Sequence, residues 1–279
     1  MDGRALAAKV RAGVKDAVAE LGGLKLATVL VGDDPASHLY ISLKHKAAQE
    51  VGIEPLDLRL PVDTSEEELL DLLRELNDDD AVDGILPQLP LPDGIDEARV
   101  IRAVDPVKDV DGFHPLNAGQ LYLGRPTLVP ATPRGVMALL EEYAIPLDGA
   151  RAVVVGRSQI VGKPVAHLLL QANATVTICH SHTDDLARHT LDADVLVVAV
   201  GVPGLVDPEM AKQGAAVVDV GQNQTEAGLV GDVDPGVAER AGFLAPVPGG
   251  VGPMTIAMLL RNTVLAARYR RGALAFPRV

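Results

Sequence analysis

The sequence predicts an α/β protein made of two lobes around a cleft, and three observations support this prediction. Short apolar runs alternate with amphipathic helical segments, a pattern typical of parallel sheets covered by helices. Hydrophobic residues make up 48% of the chain but aromatic residues only 3%, so the cores must be largely aliphatic. A length of 279 residues suits about two domains.

The first part of the chain alternates between predicted helices and predicted strands. Ser37 is expected to cap the second helix, and Gly52 is expected to close it. Ser65 opens the third helix, whose first turn is acidic, as the helix dipole favours. Functional side chains are expected at the C-terminal ends of the strands. The predicted helices cover residues 4–21, 37–51, 64–77 and 96–104, and the predicted strands cover residues 26–31, 55–60 and 83–86.

The middle and the end of the chain complete the predicted pattern. Residues 105–132 show no sustained period and indicate a long ordered connection or an interdomain segment. Pro133 is expected at the first position of a helix. Later strands are predicted at 152–155, 175–179, 195–199 and 216–220, followed by a rigid loop at 246–255 and a helix at 255–269.

A glycine turn inside the second lobe is the most informative local feature. A Val-rich strand at 152–155 is followed by a turn between Gly156 and Gly162 and then by an apolar helix. Glycine lets the backbone approach a pyrophosphate, and the helix N-terminus offers N–H groups and a positive dipole end. Arg157 and Ser158 stand where a second glycine is usual, so this motif alone is weak. It favours a Rossmann-like domain with a parallel sheet that binds a dinucleotide.

The end of the next strand favours NADP over NAD as the cofactor. NAD-binding folds usually place Asp or Glu there to bind the ribose 2′-OH. This chain has His-Ser-His-Thr at 180–183 and no acid before Asp184. A hydroxyl, an imidazole and the Arg157 guanidinium would bind a 2′-phosphate that a carboxylate would repel. The alternative is that Arg157 is a solvated turn residue and that Ser181 only caps the next helix.

Charge and composition narrow the classes of partner. The formal net charge of −13 argues against nucleic acid and against an anionic membrane as partners. A single cysteine, Cys179, excludes an internal disulfide and a multi-cysteine metal site, and it is expected to be buried in a strand. No apolar stretch is long enough to span a membrane, and Met1 leads directly into a helical pattern. We therefore expect a cytoplasmic protein without a bound metal.

Tyr40 and Lys44 are candidate catalytic residues on the second helix. A spacing of four places the phenol and the ammonium on one helix face, one turn apart. A Lys acts as a base when burial or a neighbouring cation lowers its pKa. The competing interpretation is that Lys44, His45 and Lys46 form a solvated basic face, and periodicity alone favours that interpretation.

Gln88 and the acid pair Asp109 and Asp111 are further candidates. Gln88 lies in a proline-rich loop at the end of a strand, where it could bind substrate, orient Lys44 or simply be a polar loop residue. Asp109 and Asp111 are two apart and so point to opposite sides of an extended segment. A carboxylate there could bind a donor-rich heterocycle, or the Asp-Gly pair could serve a turn. A metal site fails because no further ligands accompany the pair.

These motifs together resemble one family. The chain resembles the bifunctional methylenetetrahydrofolate dehydrogenase/methenyltetrahydrofolate cyclohydrolase enzymes, the FolD family, over essentially its whole length. It departs from the family pattern at Pro87, Ala131 and His182, where Val, Cys and a Lys or Arg are usual. The segments that support the resemblance are residues 37–44, 84–92, 108–117, 153–164, 179–183, 231–234 and 246–255.

The resemblance implies two activities. NADP-dependent oxidation of 5,10-methylenetetrahydrofolate would be followed by hydrolysis of the methenyl product to 10-formyltetrahydrofolate. Lys44 would be the general acid/base, Tyr40 and Gln88 would orient it and the substrate, and Asp111 would bind the pterin edge, while Asp109 is assigned to structure. The implied partners are tetrahydrofolate one-carbon derivatives and a second copy of the chain in a homodimer. The resemblance also implies that the last helix packs on the first lobe, so one domain is expected at residues 1–118 plus 255–279 and the other at residues 119–254.

The resemblance also implies the remaining site residues. The alternatives are another NADP-dependent α/β oxidoreductase, acting on a small hydroxy or keto acid, and a non-enzymatic NADP-binding sensor. Further residues implied beside the substrate are Leu89, Pro248, Gly249, Gly250 and Pro253, and those implied at the cofactor are Gly156, Arg157, Ser158, Ile160, Val161, Gly162, His180, Ser181, Gly201, Gly221 and Thr255.

Overall fold

The computed structural model, which describes residues 1–226 and 228–277, has two α/β units with separate parallel sheets. The three-stranded unit comprises Lys9–Ala131 and the chain from Ile256 onward, and the five-stranded unit comprises Met1–Ala8 and Thr132–Thr255. Two α/β units with parallel sheets confirm the predicted fold class.

The three-stranded unit is built on a central strand whose side chains are buried on both faces. The strand order is β2-β1-β3, and all pairs are parallel. Val29 of β1 and Leu69 and Leu73 of α3 are fully buried in one aliphatic core. The strands are β1 Leu24–Val31, β2 Ile53–Leu60 and β3 Gly84–Pro87, and the helices up to residue 122 are α1 Gly3–Leu21, α2 Pro35–Glu50, α3 Glu66–Asp78, α4 Glu97–Ala103 and α5 Pro115–Tyr122.

The helix caps are predicted correctly at α3 and wrongly at α2. Ser65 forms a capping box with Glu68, as expected for an acidic first turn. At α2 the cap is Asp34, whose Oδ2 accepts from Ser37 N at 2.8 Å, so Ser37 lies inside the helix. Pro35, with its fixed φ, takes the first helical position and moves the helix start back from Ser37.

The segment 105–132 contains a helix that its sequence does not reveal. α5 begins after His114, whose Nδ1 accepts from Leu116 N at 3.1 Å. The short apolar stripe of α5 comprises few buried residues, and this explains the lack of a sustained period. Asn117 is buried and donates to Asp109 Oδ2 at 2.8 Å, which ties α5 to the preceding turn.

Lys108 joins α3 to this turn. Its side chain is only 2% exposed, and its ammonium donates to the carbonyl oxygens of Leu76, Asn77 and Asp79 at 2.8, 2.6 and 2.8 Å. These carbonyls lie at the C-terminal end of α3, where a cation is favoured by the helix dipole. Lys108 O also accepts from Ile85 N at 2.8 Å, so the residue links α3 to β3.

Replacing Lys108 with Met should destabilise the three-stranded unit by about 2–4 kcal/mol, because buried carbonyl oxygens lose charged donors. Urea unfolding followed by circular dichroism would measure the loss as a lower transition midpoint. Lys15→Met, at an exposed position of α1, is the matched control and should leave the midpoint unchanged. Equal midpoints for the Lys108 variant and the parent would contradict the prediction.

The five-stranded unit is a doubly wound parallel sheet. Its strand order is β10-β7-β6-β4-β5, so the order reverses beside β4. Val153, Leu196 and Val217 are buried in its core, and Cys179 is free and buried in β5, as predicted. The strands are β4 Arg151–Val155, β5 Thr175–Cys179, β6 Val195–Val198, β7 Ala216–Asp219, β8 Asn223–Thr225, β9 Gly228–Val230 and β10 Phe243–Ala245, and the helices from residue 131 onward are α6 Ala131–Glu142, α7 Gly162–Gln171, α8 Leu186–Thr190 and α9 Val251–Arg270. The part of α9 from Ile256 onward belongs to the three-stranded unit.

Three boundaries differ from the predicted ones. α9 begins at Val251 rather than Thr255, so half of the predicted rigid loop is helical, with Pro253 in the first turn, where proline is tolerated. Met1–Ala8 group with the five-stranded unit and residues 119–131 with the three-stranded unit. The grouping of Met1–Ala8 with the five-stranded unit has a clear cause, since Gly3 N donates to Gly249 O at 3.0 Å. Within the described part of the chain, no helix combines the length and apolarity needed to cross a membrane.

Candidate functional site

Lys44 and Gln88 meet in the three-stranded unit at the C-terminal end of its sheet. Lys44 lies in the middle of α2, and its Nζ donates to Gln88 Oε1 at 2.9 Å. Gln88 directly follows β3 and is held by its own backbone, because Gln88 N donates to Val29 O at 2.8 Å. Its Nε2 donates to Leu89 O at 2.6 Å, so the amide oxygen is turned towards Lys44.

The chain does not use Lys44 as part of a solvated basic face. Lys46 is exposed, whereas His45 is half-buried and its Nε2 is 2.7 Å from the hydroxyl of buried Thr28. Lys44 is half-buried, and burial lowers the pKa of its ammonium. A Lys with a lowered pKa can exchange protons nearer to neutral pH than a free Lys.

Asp111 is the acid whose charge affects the pKa of Lys44. Burial raises the pKa of Asp111 to about 6, and the charge of Lys44 opposes that rise. In return, the charge of Asp111 raises the pKa of Lys44 and so limits the effect of burial there. The two groups are therefore near enough to influence each other. Tyr40 lies one turn before Lys44 on α2 and is 38% exposed.

Asp109, the first acid of the pair, has structural partners instead. It is buried and accepts from Phe113 N at 3.2 Å, His114 N at 2.8 Å and Asn117 Nδ2 at 2.8 Å. Gly112, with φ of 72°, follows Asp111, and a Cβ there would lie 2.6 Å from the carbonyl carbon of Val129. The two acids of this segment thus differ in their partners. Asp109 binds groups of the following turn and helix, whereas Asp111 is electrostatically coupled to Lys44.

The glycine turn after β4 is closely packed. Gly156 has φ of 122°, and a Cβ there would lie 2.2 Å from Ala199 O. A Cβ on Gly162 would lie 2.2 Å from Gly156 O. Ser158 Oγ accepts from Val161 N at 3.1 Å and Gly162 N at 3.2 Å, which leaves its hydrogen for another acceptor. The turn therefore has the close backbone packing of a phosphate-binding turn.

The loop after β5 presents polar groups and no carboxylate before Asp184. Ser181 is exposed, and Arg157 of the glycine turn is exposed as well. His180 Nδ1 accepts from His182 N at 3.2 Å, and His180 N donates to Thr183 Oγ1 at 2.9 Å. α8 is capped by Asp185, so the alternative that Ser181 caps this helix is wrong. The exposed side chains suit a phosphate ester better than a ribose diol.

The other predicted residues of the five-stranded unit lie at strand ends and at the start of α9. Gly201 and Gly221 follow β6 and β7, and Thr255 Oγ1 is 2.9 Å from Thr132 Oγ1. Ile160 is 44% exposed in the glycine turn. Pro248, Gly249 and Pro253 line a cavity of about 120 Å³, and Gly250 N donates to Pro246 O at 2.8 Å beside it.

The residues present fit a dinucleotide with a 2′-phosphate. Both glycines of the turn are places where a side chain would collide with backbone, and a cation and hydroxyls replace the usual ribose-binding acid. Among residues 1–226 and 228–277, no group of His, Cys, Asp or Glu is arranged to bind a metal ion. Two buried acids near Gly201 and Gly221, Asp219 and Asp232, were not identified from the sequence. The glycines close to these acids in the sequence, Gly221 and Gly231, were the available signal of their close packing.

Known proteins share both units. The catalytic-domain model of the tetrahydrofolate dehydrogenase/cyclohydrolase family matches residues 1–111, and its NAD(P)-binding-domain model matches residues 130–271. The bifunctional protein FolD of Halothermothrix orenii is 55% identical over 276 residues, which cover 96% of this chain and 98% of that protein.

Solved structures of related proteins have the same fold as this chain. The crystal structure of the bifunctional enzyme FolD from Campylobacter jejuni is 48% identical, with a TM-score of 0.95, and the match covers 96% of this chain and 98% of that one. The FolD enzyme of Trypanosoma brucei, solved with NADP cofactor and inhibitor, is 40% identical, with a TM-score of 0.92 and coverage of 99% and 98%. This chain belongs to the tetrahydrofolate dehydrogenase/cyclohydrolase family.

Proposed function

We propose that Lys44 is the general acid/base of the hydrolytic reaction of this bifunctional enzyme. The enzyme oxidises 5,10-methylenetetrahydrofolate to the methenyl compound with NADP, and it hydrolyses that product to 10-formyltetrahydrofolate. The observation that best supports the role of Lys44 is its hydrogen bond to Gln88, together with its electrostatic coupling to Asp111.

The hydrolysis needs a group that moves protons. Water adds to the methenyl carbon, and the neutral Lys44 amine takes a proton from it. The C–N5 bond of the adduct then breaks, the hydroxyl proton is lost as the formyl carbonyl forms, and N5 gains a proton. One water proton thus reaches N5 and the other reaches solvent. A Lys whose pKa is lowered by burial suits both transfers.

The neighbours of Lys44 have supporting roles in this proposal. Gln88 holds the amine in a fixed direction through its amide oxygen. Tyr40, one turn earlier on α2, presents a phenol that orients substrate. Asp111 offers two acceptor oxygens to the donor edge of the pterin, and Leu89 lies beside Gln88. Pro248, Gly249, Gly250 and Pro253 form a further substrate wall in this proposal.

NADP would be held by the five-stranded unit. When bound, this cofactor would supply the acceptor for the hydride that leaves the methylene carbon. The glycine turn, with Gly156 and Gly162, would approach the pyrophosphate, and Arg157, Ser158 and Ser181 would bind the 2′-phosphate. The folate nitrogens already favour departure of the hydride, so the residues of the chain mainly orient the two rings. The remaining cofactor contacts are assigned to Ile160, Val161, His180, Gly201, Gly221 and Thr255.

We further propose a cytoplasmic homodimer that associates through the five-stranded unit. β5 is an edge strand, and an edge strand can pair with another chain. Apolar side chains around it are exposed, namely Leu170 at 58%, Ile178 at 42% and Leu191 at 42%. An exposed apolar patch of this kind is typical of an association surface. The net charge of −13 makes nucleic acid and anionic membranes poor partners.

The proposed function is tested by assaying the purified protein with methylenetetrahydrofolate and either NADP or NAD. Reduced cofactor and methenyl product should form together, and the methenyl compound should then decay to the formyl product faster than it does without enzyme. A protein that reduces neither cofactor and does not hasten the decay would contradict the proposal. Oxidation of a small hydroxy acid in place of the folate would favour the other oxidoreductase class.

Arg157→Ala should raise the KM for NADP by about tenfold or more, since a charge-assisted hydrogen bond to a phosphate would be lost. The KM for NAD is the internal control, because NAD lacks the 2′-phosphate, and it should change by less than about twofold. Initial rates over a range of each cofactor give both values. Parallel increases for NADP and NAD would assign Arg157 to the turn rather than to the phosphate.

A further inference from the structure

Two buried carboxylates in the five-stranded unit have no part in the roles proposed above. Asp219 is the last residue of β7 and is 2% exposed, and Asp232 follows β9 and is 0% exposed. Burying a carboxylate is strongly unfavourable unless hydrogen-bond donors surround it. Their donors therefore indicate what these acids do.

Asp219 closes the turn that follows its own strand. Its Oδ1 accepts from Gly221 N at 3.0 Å and from Asp232 N at 2.9 Å, and its Oδ2 accepts from Val233 N at 3.1 Å. Burial raises the pKa of Asp219 to about 6, and the charge of Asp232 contributes to that rise. Asp219 thereby fixes the backbone of Asp232.

Asp232 joins two strand-end turns. Its Oδ2 accepts from Val200 N at 2.7 Å and from Gly201 N at 2.9 Å, both in the turn after β6. Its Oδ1 accepts from Asn223 Nδ2 at 2.9 Å, after β7. One carboxylate thus sets the distance between the two turns.

Two glycines make room for these carboxylates. A Cβ on Gly221 would lie 2.2 Å from Asp232 Oδ1, and a Cβ on Gly231 would lie 1.7 Å from Asp219 Oδ2. Any side chain at either position would displace a carboxylate from its donors. The glycines and the acids therefore form one structural device, to which the Gly-Asp-Val-Asp motif at 231–234 contributes Gly231 and Asp232.

This device lies where a doubly wound sheet binds its ligand. Strand order reverses beside β4, and in such sheets the two halves of a dinucleotide lie on either side of the reversal, at the C-terminal strand ends. The loop after β5 suits the 2′-phosphate half, so the ends of β6 and β7 belong to the nicotinamide half. Ala199, next to Val200, also carries the oxygen that a Cβ on Gly156 would meet at 2.2 Å.

We propose that Asp232, supported by Asp219, is a positioning residue for hydride transfer, because it fixes the turns after β6 and β7 that support the nicotinamide half of NADP. This inference rests on the proposed cofactor site. The phosphates would still bind without Asp232, but the ring would be poorly oriented. The loss should therefore fall on the dehydrogenase kcat more than on the KM for NADP.

Asp232→Ala in the full chain tests the proposal. The dehydrogenase kcat should fall about tenfold or more, since small misplacements of reacting groups have large effects on rate. The KM and the calorimetric Kd for NADP should change by less than about threefold. Hydrolysis of directly supplied methenyl compound needs no hydride transfer and should stay within about twofold, which also shows that the variant is folded.

Hydrogen exchange gives a readout that does not depend on activity. In the protein without cofactor, the amides of Val200 and Gly201 should exchange faster in Asp232→Ala than in the parent, because their acceptor is gone. Asp234→Ala is the matched control, since Asp234 accepts from Gly236 N at 2.8 Å in the same motif. It should alter neither the kcat nor these two amides.

A second variant keeps the test decisive if Asp232→Ala is insoluble. Asn223→Ala removes the bond to Asp232 that links the turns, together with a longer bond of 3.4 Å to Val230 O, and leaves the Asp232 carboxylate in place. It should give the same selective loss of dehydrogenase kcat, at a smaller size. Equal loss of both activities, an unchanged dehydrogenase kcat, or unaltered exchange at residues 200 and 201 would overturn the positioning role. A parent protein without NADP-dependent oxidation would instead overturn the proposed function.

Discussion

Replacing Lys44 with Met should lower the cyclohydrolase rate by about 10²–10⁴-fold, which is the usual contribution of a positioned general acid/base. The Met side chain has nearly the shape of the Lys stem but cannot donate to Gln88 Oε1 or move a proton. The decay of the methenyl absorbance, corrected for the uncatalysed rate, measures the loss. NADP affinity should be retained, because the residues assigned to NADP belong to the five-stranded unit.

Lys46→Met is the matched control for Lys44→Met. Lys46 lies on the same helix, is exposed, and should leave both activities near the parent level. A Lys44→Met variant that hydrolyses the methenyl compound at the parent rate would end the assignment. A variant that also loses NADP affinity would indicate a folding defect, and then the cyclohydrolase loss would say nothing about proton transfer.

The alternation of strands and helices could be predicted because it depends on local periodicity. β1, β4 and α3 have apolar patterns that their own sequences impose, and they appear at nearly the predicted residues. Elements with short or weak patterns were not predictable in this way. α5 is held by contacts outside the helix, such as the bond between Asn117 and Asp109, and β10 depends on its pairing with β7, which lies well before it in the chain.

The candidate site, too, could be predicted from the sequence only in part. Spacing predicted that Tyr40 and Lys44 share a helix face, but it could not distinguish a solvated face from a half-buried one. Gln88 settles this point, and its contact with Lys44 depends on the pairing of β1 with β3, which a periodic pattern does not contain. Asp232 was missed for the same reason, because its donors lie more than 30 residues away in Val200 and Gly201 and close to it only in space.

Gly156→Ala should lose NADP affinity and keep cyclohydrolase activity, which is the reverse of the result expected for Lys44→Met. A Cβ at this position would lie 2.2 Å from Ala199 O, and φ of 122° is unfavourable for Ala. The turn must therefore shift, and NADP affinity should fall by about tenfold or more, because backbone N–H groups that would bind the charged pyrophosphate are displaced. Calorimetric titration with NADP measures the affinity.

Gly149→Ala separates the steric effect from backbone strain. Gly149 also has positive φ, at 75°, but a Cβ there meets no atom within 4 Å. Strain alone should cost both variants some stability, whereas only Gly156→Ala should lose NADP. Cyclohydrolase activity on supplied methenyl compound should persist in both, since Lys44, Gln88 and Asp111 belong to the three-stranded unit. If Gly156→Ala bound NADP as the parent does, the turn after β4 could not be the pyrophosphate site, and the assignment of Arg157 and Ser158 would have to be abandoned with it.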